Sequence, residues 1–147
     1  MQREPNIVIV ADDDIDDSLF LLSVLLSMSR ELTVIAVRNG ERLIHILEVV
    51  SPNYVFLDIN MPKRNGFEAL KHIRTIKRSN QPTVIMCSTS SSANDIRKSQ
   101  ELGANMYVTK PTKLENYNKM IEDIFETDWS NKANEIIPEK FQLSHVQ

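Results

Sequence analysis

A single cysteine, Cys87, makes an intramolecular disulfide impossible. It sits in the apolar run PTVIMC, where a lone thiol packs as a small hydrophobe rather than acting as a nucleophile. A basic excess is also missing. Seventeen Lys and Arg stand against 20 Asp and Glu, a formal net charge of -3. That argues against a dedicated nucleic-acid surface, which is usually marked by a basic patch or stripe. No long hydrophobic run is present. The most apolar stretch, LFLLSVLLSM, is too short to span a bilayer and carries serines. MQREPN is not followed by the apolar core of a signal peptide. A cytoplasmic protein without membrane insertion is expected. No internal repeat is visible.

What is present suits one ordinary globular domain: 147 residues, 41% hydrophobic and 25% charged. Apolar and amphipathic runs alternate. NIVIVA, LTVIAV, YVFLDI, PTVIMC and ANMYVT read as buried strands. Helical spacing follows each one. It runs from about Asp16 to Ser29 through Leu19, Leu22, Leu25 and Leu26, and from Gly40 to Val50 through Leu43, Ile44 and Leu47. The next spans Phe67 to Arg78 through Leu70, Ile73 and Ile76, and a fourth opens near Ala93. The last runs from Leu114 to Phe125 through Tyr117, Ile121 and Ile124. Five strands alternating with five helices predict an α/β fold, a parallel sheet covered on both faces. From Asp128 the chain reads as a tail, too short for a second domain, whose Ile136, Ile137, Phe141 and Leu143 have the character to pack on the body.

In such sheets, sites form beyond the carboxyl ends of the strands. Strand one is followed by VADDDIDD, with five aspartates between Asp12 and Asp17. At roughly 5 Å and an effective dielectric near 20, each pair of ionised carboxylates costs about 3 kcal/mol. Strand three ends at Asp58, strand four leads into Ser88, and strand five into Lys110 and Pro111. A hard divalent cation relieves the crowding, and Mg²⁺ takes one or two carboxylates plus a phosphate and waters. The added lysine and hydroxyl suit a phosphoryl group arriving at a carboxylate, with Asp as nucleophile. Asp14, Asp16 and Asp17 read as loop or cap residues, the last two suiting a helix start. Ser90, Ser91 and Ser92 read as loop and N-cap residues. His45, His72 and His145 read as helix or tail residues.

IVADDD, FLDINMP, NGFEAL, MCSTSS and LGANMYVTKP, in this order and spacing, resemble the receiver domain of two-component response regulators, the CheY-like fold. The resemblance covers about residues 6 to 125. It implies a doubly wound five-stranded parallel (βα)5 sheet in strand order 2-1-3-4-5, with a receiver over 6–127, a tail over 128–147 and no separate output domain. It makes Asp58 the phosphoacceptor. Asp13 corresponds to the direct Mg²⁺ ligand, Asp12 to a neighbour acting mostly through water, and Asn60 to a backbone-carbonyl ligand. The acidic pair can also be read one residue later, as Asp13 and Asp14. Ser88 takes the hydroxyl role, Lys110 the lysine role and Tyr107 the aromatic switch position. Pro111 leaves a cis bond open.

The implied partners are a sensor histidine kinase or phosphotransfer protein and an unidentified downstream protein. The latter is met through a face of helix four, strand five and helix five, and a homodimer stays open. Ile15 stands where many relatives have proline, Arg64 where many have an apolar residue, and Ser88 where threonine is commoner. Two other classes share parts of the pattern: a haloacid-dehalogenase-type phosphatase and a degenerate, unphosphorylated receiver scaffold. The first needs an acidic pair after a later strand, where only Glu122 and Asp123 follow, on a helix. The intact Asp58, Lys110 and acidic pair argue against the second.

Overall fold

A computed structural model describes residues 7–28, 31–78, 80–129 and 142–144. The elements are β1 (Ile7–Ala11), α1 (Ile15–Ser27), β2 (Thr33–Val37), α2 (Gly40–Ile46), β3 (Tyr54–Asp58), α3 (Gly66–Thr75), β4 (Thr83–Ser88), α4 (Ala93–Glu101), β5 (Met106–Thr109), α5 (Leu114–Glu126) and β6 (Gln142–Ser144). The first five strands lie parallel in the expected order, β2-β1-β3-β4-β5. Successive residues of a strand feed opposite layers. Ile9, Leu57 and Met86 pack with Leu43, Leu47, Leu70 and Ile73 of α2 and α3 and the residues that follow α2. Val8, Val10, Phe56 and Ile85 pack with α1 and α5 through Leu21, Val24, Leu25, Tyr117, Ile121 and Ile124.

Three details depart from the sequence expectation, and one that it left open is settled. The buried stripe of α1 is Leu21, Val24 and Leu25, while Leu19 and Leu26 are 57% and 67% exposed. Leucines surround this helix on most sides, so periodicity alone does not choose its inner face. The helical segments of α2 and α3 are shorter than expected, ending at Ile46 and Thr75. Arg78, placed beyond α3, donates to the carbonyls of Leu47 and Val50 and to Ser51 Oγ, satisfying the end of α2. Lys110–Pro111 is trans, since no described peptide bond is cis. Finally, the tail supplies a strand: β6 pairs parallel with β5, Tyr107 opposite Gln142 and Thr109 opposite Ser144. Among the described residues the sheet is therefore six-stranded, and β6 lies beside β5 at the face predicted for output. The expectations for Ile136, Ile137, Phe141 and His145 lie outside the described residues.

Caps set the loops at the carboxyl edge. Asp14 Oδ1 accepts from the Asp17 amide and starts α1. Asn65 and Glu68 form a reciprocal capping box at α3. Gly66 is obligatory there: a Cβ would lie 2.2 Å from the Asp58 carbonyl oxygen. Between β3 and α3, Lys63 and Arg64 take positive φ, 50° and 83°, a region other residues than glycine rarely enter.

Candidate functional site

Parallel register brings four strand ends to one place. Asp58 lies opposite Cys87, Ser88 lies opposite Thr109, and the Lys110 amide donates to the Ser88 carbonyl at 2.7 Å. Asp12 and Asp13 follow β1 directly. Asp12 and Asp58 are nearly buried, 7% and 6% exposed, whereas Asp13 is exposed. Carboxylate oxygens of Asp12, Asp13 and Asp58 all lie within 4.8 Å of one another. Asp14 is not in this cluster. It is spent on the α1 cap, and its own amide donates to Asp12 Oδ1 at 2.9 Å.

The Lys110 ammonium stands among these acids, 2.9 Å from Asp12 Oδ2 and 3.5 Å from Asp58 Oδ2. It also donates to Asp17 Oδ2 at 2.9 Å. Asp17, expected as a loop or cap residue, is therefore no mere helix-start charge but part of the site. Sequence spacing held only a faint signal for it, namely that α1 begins within one turn of the acidic pair.

Charge is finely balanced. Burial pushes the Asp58 carboxyl up, Lys110 opposes this, and the charge and hydrogen bonding of Asp12 push up again; the backbone of Asn60 favours the ionised form. The outcome is a pKa of about 7. For Lys110, burial pulls the ammonium down, but the hydrogen bonds to Asp17 and Asp12 more than offset it and leave the pKa raised. A group of acids this close, with one held partly protonated, is under-compensated by a single ammonium. Its donors are hard oxygens, and exposed Asp13 opens one side to water. Both features fit a hard divalent cation, which keeps part of its water shell.

Ser88 is fully buried, and its Oγ accepts from the Ser90 amide at 3.1 Å. Tyr107 is fully buried as well, and its hydroxyl donates to the Ser90 carbonyl at 2.7 Å. The ring thus already lies inside, instead of waiting at the surface to turn inward. Ser92 caps α4 as expected. Cys87 is buried, and burial pushes its thiol far above the ordinary range, so it stays an inert packing residue. His45 and His72 stand on α2 and α3, not at strand ends. Glu122 and Asp123 lie within α5, which leaves the phosphatase pattern incomplete.

A family model described as the response regulator receiver domain matches residues 7–122. The chain belongs to this family. The receiver is 29% identical over 132 residues to the response regulator Rcp1 of Synechocystis sp., covering 85% of this chain and 89% of that one. It is 32% identical over 120 residues to stress response regulator protein 1 of Candida tropicalis, covering 80% of this chain and 46% of that one. Among solved structures, the Mn²⁺-bound form of Rcp1 is similar with a TM-score of 0.75 at 28% identity, covering 84% of this chain and 97% of that one. The phosphorylated cyanobacterial phytochrome response regulator RcpA gives 0.77 at 26% identity, covering 88% and 97%. The fold is that of CheY-like receivers of two-component signalling, and receivers of this family use a divalent metal and meet histidine kinases or phosphotransfer proteins. It is not a conventional enzyme family. No described helix is long and apolar enough to cross a membrane.

Proposed function

We propose that this receiver takes a phosphoryl group onto Asp58 from a phosphohistidine of a sensor kinase or phosphotransfer protein. The observation that carries this is the Lys110 ammonium between the carboxylates of Asp12 and Asp58, which together with Asp13 bring oxygens within 4.8 Å of one another. Asp58 Oδ forms the new P–O bond as the P–N bond breaks, and the nitrogen keeps the electron pair and takes up a proton. Lys110 pairs with a phosphoryl oxygen, and Ser88 donates to another. Asp13, Asp12, Asp58 and the backbone carbonyl of Asn60 would hold Mg²⁺, which neutralises charge on the transferring group. The Mn²⁺-bound Rcp1 and phosphorylated RcpA structures support both halves of this reading by similarity.

Output then follows from differential affinity. A phosphoryl group brings about -1.5 to -2 charge and three strong acceptors. Ser88 and Lys110 bind it better in one arrangement of β4 and β5 than in another, and that difference alone can shift populations. Tyr107, hydrogen-bonded to the segment after Ser88, carries the change to the face of α4, β5 and α5, where a downstream protein binds.

Intact mass after incubation with acetyl phosphate or phosphoramidate and Mg²⁺ tests the acceptor. One base-labile phosphoryl group is expected, absent in Asp58→Asn. Equal labelling of the two proteins would overturn the assignment.

A further inference from the structure

Asp17 lies outside the motifs that mark a receiver, yet it holds Lys110 as closely as Asp12 does. Both contacts are 2.9 Å, against 3.5 Å to Asp58. An ammonium has three donors; here it is held at hydrogen-bond distance by Asp17 and Asp12, while Asp58 is a longer ion-pair contact. A phosphoryl group on Asp58 would present its oxygens in place of that longer contact and draw the ammonium toward them, so the hold of Asp12 or Asp17 must loosen. Asp12 and Asp58 have side chains only 9% and 7% exposed, whereas that of Asp17 is 29% exposed. A carboxylate released at the rim regains water; one released in the interior does not. Asp17 is therefore the contact that can be given up. Its place is set locally, because the Asp14 cap holds its amide and fixes the first turn of α1.

We propose that Asp17 is a positioning residue that competes with the phosphoryl group for Lys110. It holds the ammonium away from closer contact with Asp58 in the resting site and so favours the unphosphorylated arrangement. This rests on the reading of Asp58 as phosphoacceptor. Asp17 acts only through Lys110, and removing it should strengthen the phosphorylated state.

The control lies next door. Asp16 carries the same charge in the same helical turn but is exposed. Beryllofluoride with Mg²⁺, titrated by NMR, stands in for the phosphoryl group. Asp17→Ala should bind it roughly two- to fivefold more tightly than wild type, the range open to a partly exposed ion pair, and Asp16→Ala by less than about 1.5-fold. The ¹³Cε signal of Lys110 supplies a readout that a merely structural role would not move. It should differ between free wild type and Asp17→Ala, then converge when both are saturated. Equal effects of the two substitutions, unchanged or weaker binding by Asp17→Ala, or Lys110 signals that stay apart at saturation would each overturn the competition while leaving Asp58 as acceptor. If none of the proteins binds beryllofluoride, the Asp58 reading itself fails and the competition falls with it.

Discussion

Asp58 is the residue where burial, one cation and a neighbouring acid meet, and its pKa of about 7 has a consequence for stability. In the unfolded chain the carboxyl ionises near 3.8. The folded state holds the proton up to about 7, so it binds more protons than the unfolded state in between, and stability falls as pH rises through that window. Asp58→Asn removes the effect. Without divalent metal, its stability relative to wild type should climb between pH 4 and 7 by on the order of 2 kcal/mol, read by urea denaturation at several pH values. A flat difference across that range would show that the carboxyl is not held protonated. Ser88 separates acceptance from transmission. Ser88→Ala should still accept phosphate on Asp58, but beryllofluoride should no longer produce the wild-type amide shifts around Tyr107. A full wild-type shift pattern in Ser88→Ala would rule out the proposed route.

At the scale of elements, the β3–α3 connection is the part most tightly bound to the site. Gly66 lets the start of α3 lie against the backbone of Asp58, and its amide donates to the Ile59 carbonyl at 2.7 Å. A methyl group there meets backbone, which cannot rotate aside. Gly66→Ala should cost about 1–3 kcal/mol, the range for overpacking, and should slow phosphorylation by displacing Asp58. Thermal unfolding and the mass assay test the two effects separately. A variant as stable and as readily labelled as wild type would show that the loop yields freely. A second brace lies at the opposite edge of the sheet. Arg74 donates to the carbonyls of Gly103 and Pro82 and to Asn105 Oδ1, tying the end of α3 to the turn that enters β5.

For the whole molecule, metal binding and folding are linked. An ion that binds only the native state stabilises it by RT ln(1 + [L]/Kd). At tenfold excess over Kd, Mg²⁺ should add about 1.4 kcal/mol, roughly a 5 °C rise in Tm. Asp13→Ala should lose most of that rise; an undiminished rise would move the ligand elsewhere or refute the site. The tail acts at the β5 edge of the sheet. With β6 in place, β5 is not an edge strand. Removing residues 130–147 would expose its backbone donors and acceptors, a template for pairing with another chain. Sedimentation should then show more self-association than for the full chain, and an unchanged mass would mean that the β5 edge is otherwise protected.

The linear sequence by itself determined the alternation of strands and helices, hence the parallel sheet, and the residues standing at the strand ends: Asp12, Asp13, Asp58, Ser88 and Lys110. These follow from period and order, which are local properties. What only the tertiary structure decided is different in kind. The inner face of α1 depends on where α5 and the sheet press against a helix that is leucine-rich on most sides. The strand Gln142–Ser144 exists because β5 offers unpaired backbone, since three residues carry no period of their own. Asp17 joins the site because folding brings it to Lys110, 93 positions away in the chain. A carboxylate in a helix's first turn reads as a solvated charge until the cation it meets is known. The burial that sets the Asp58 pKa is likewise absent from any single segment, because desolvation is a property of the packed whole.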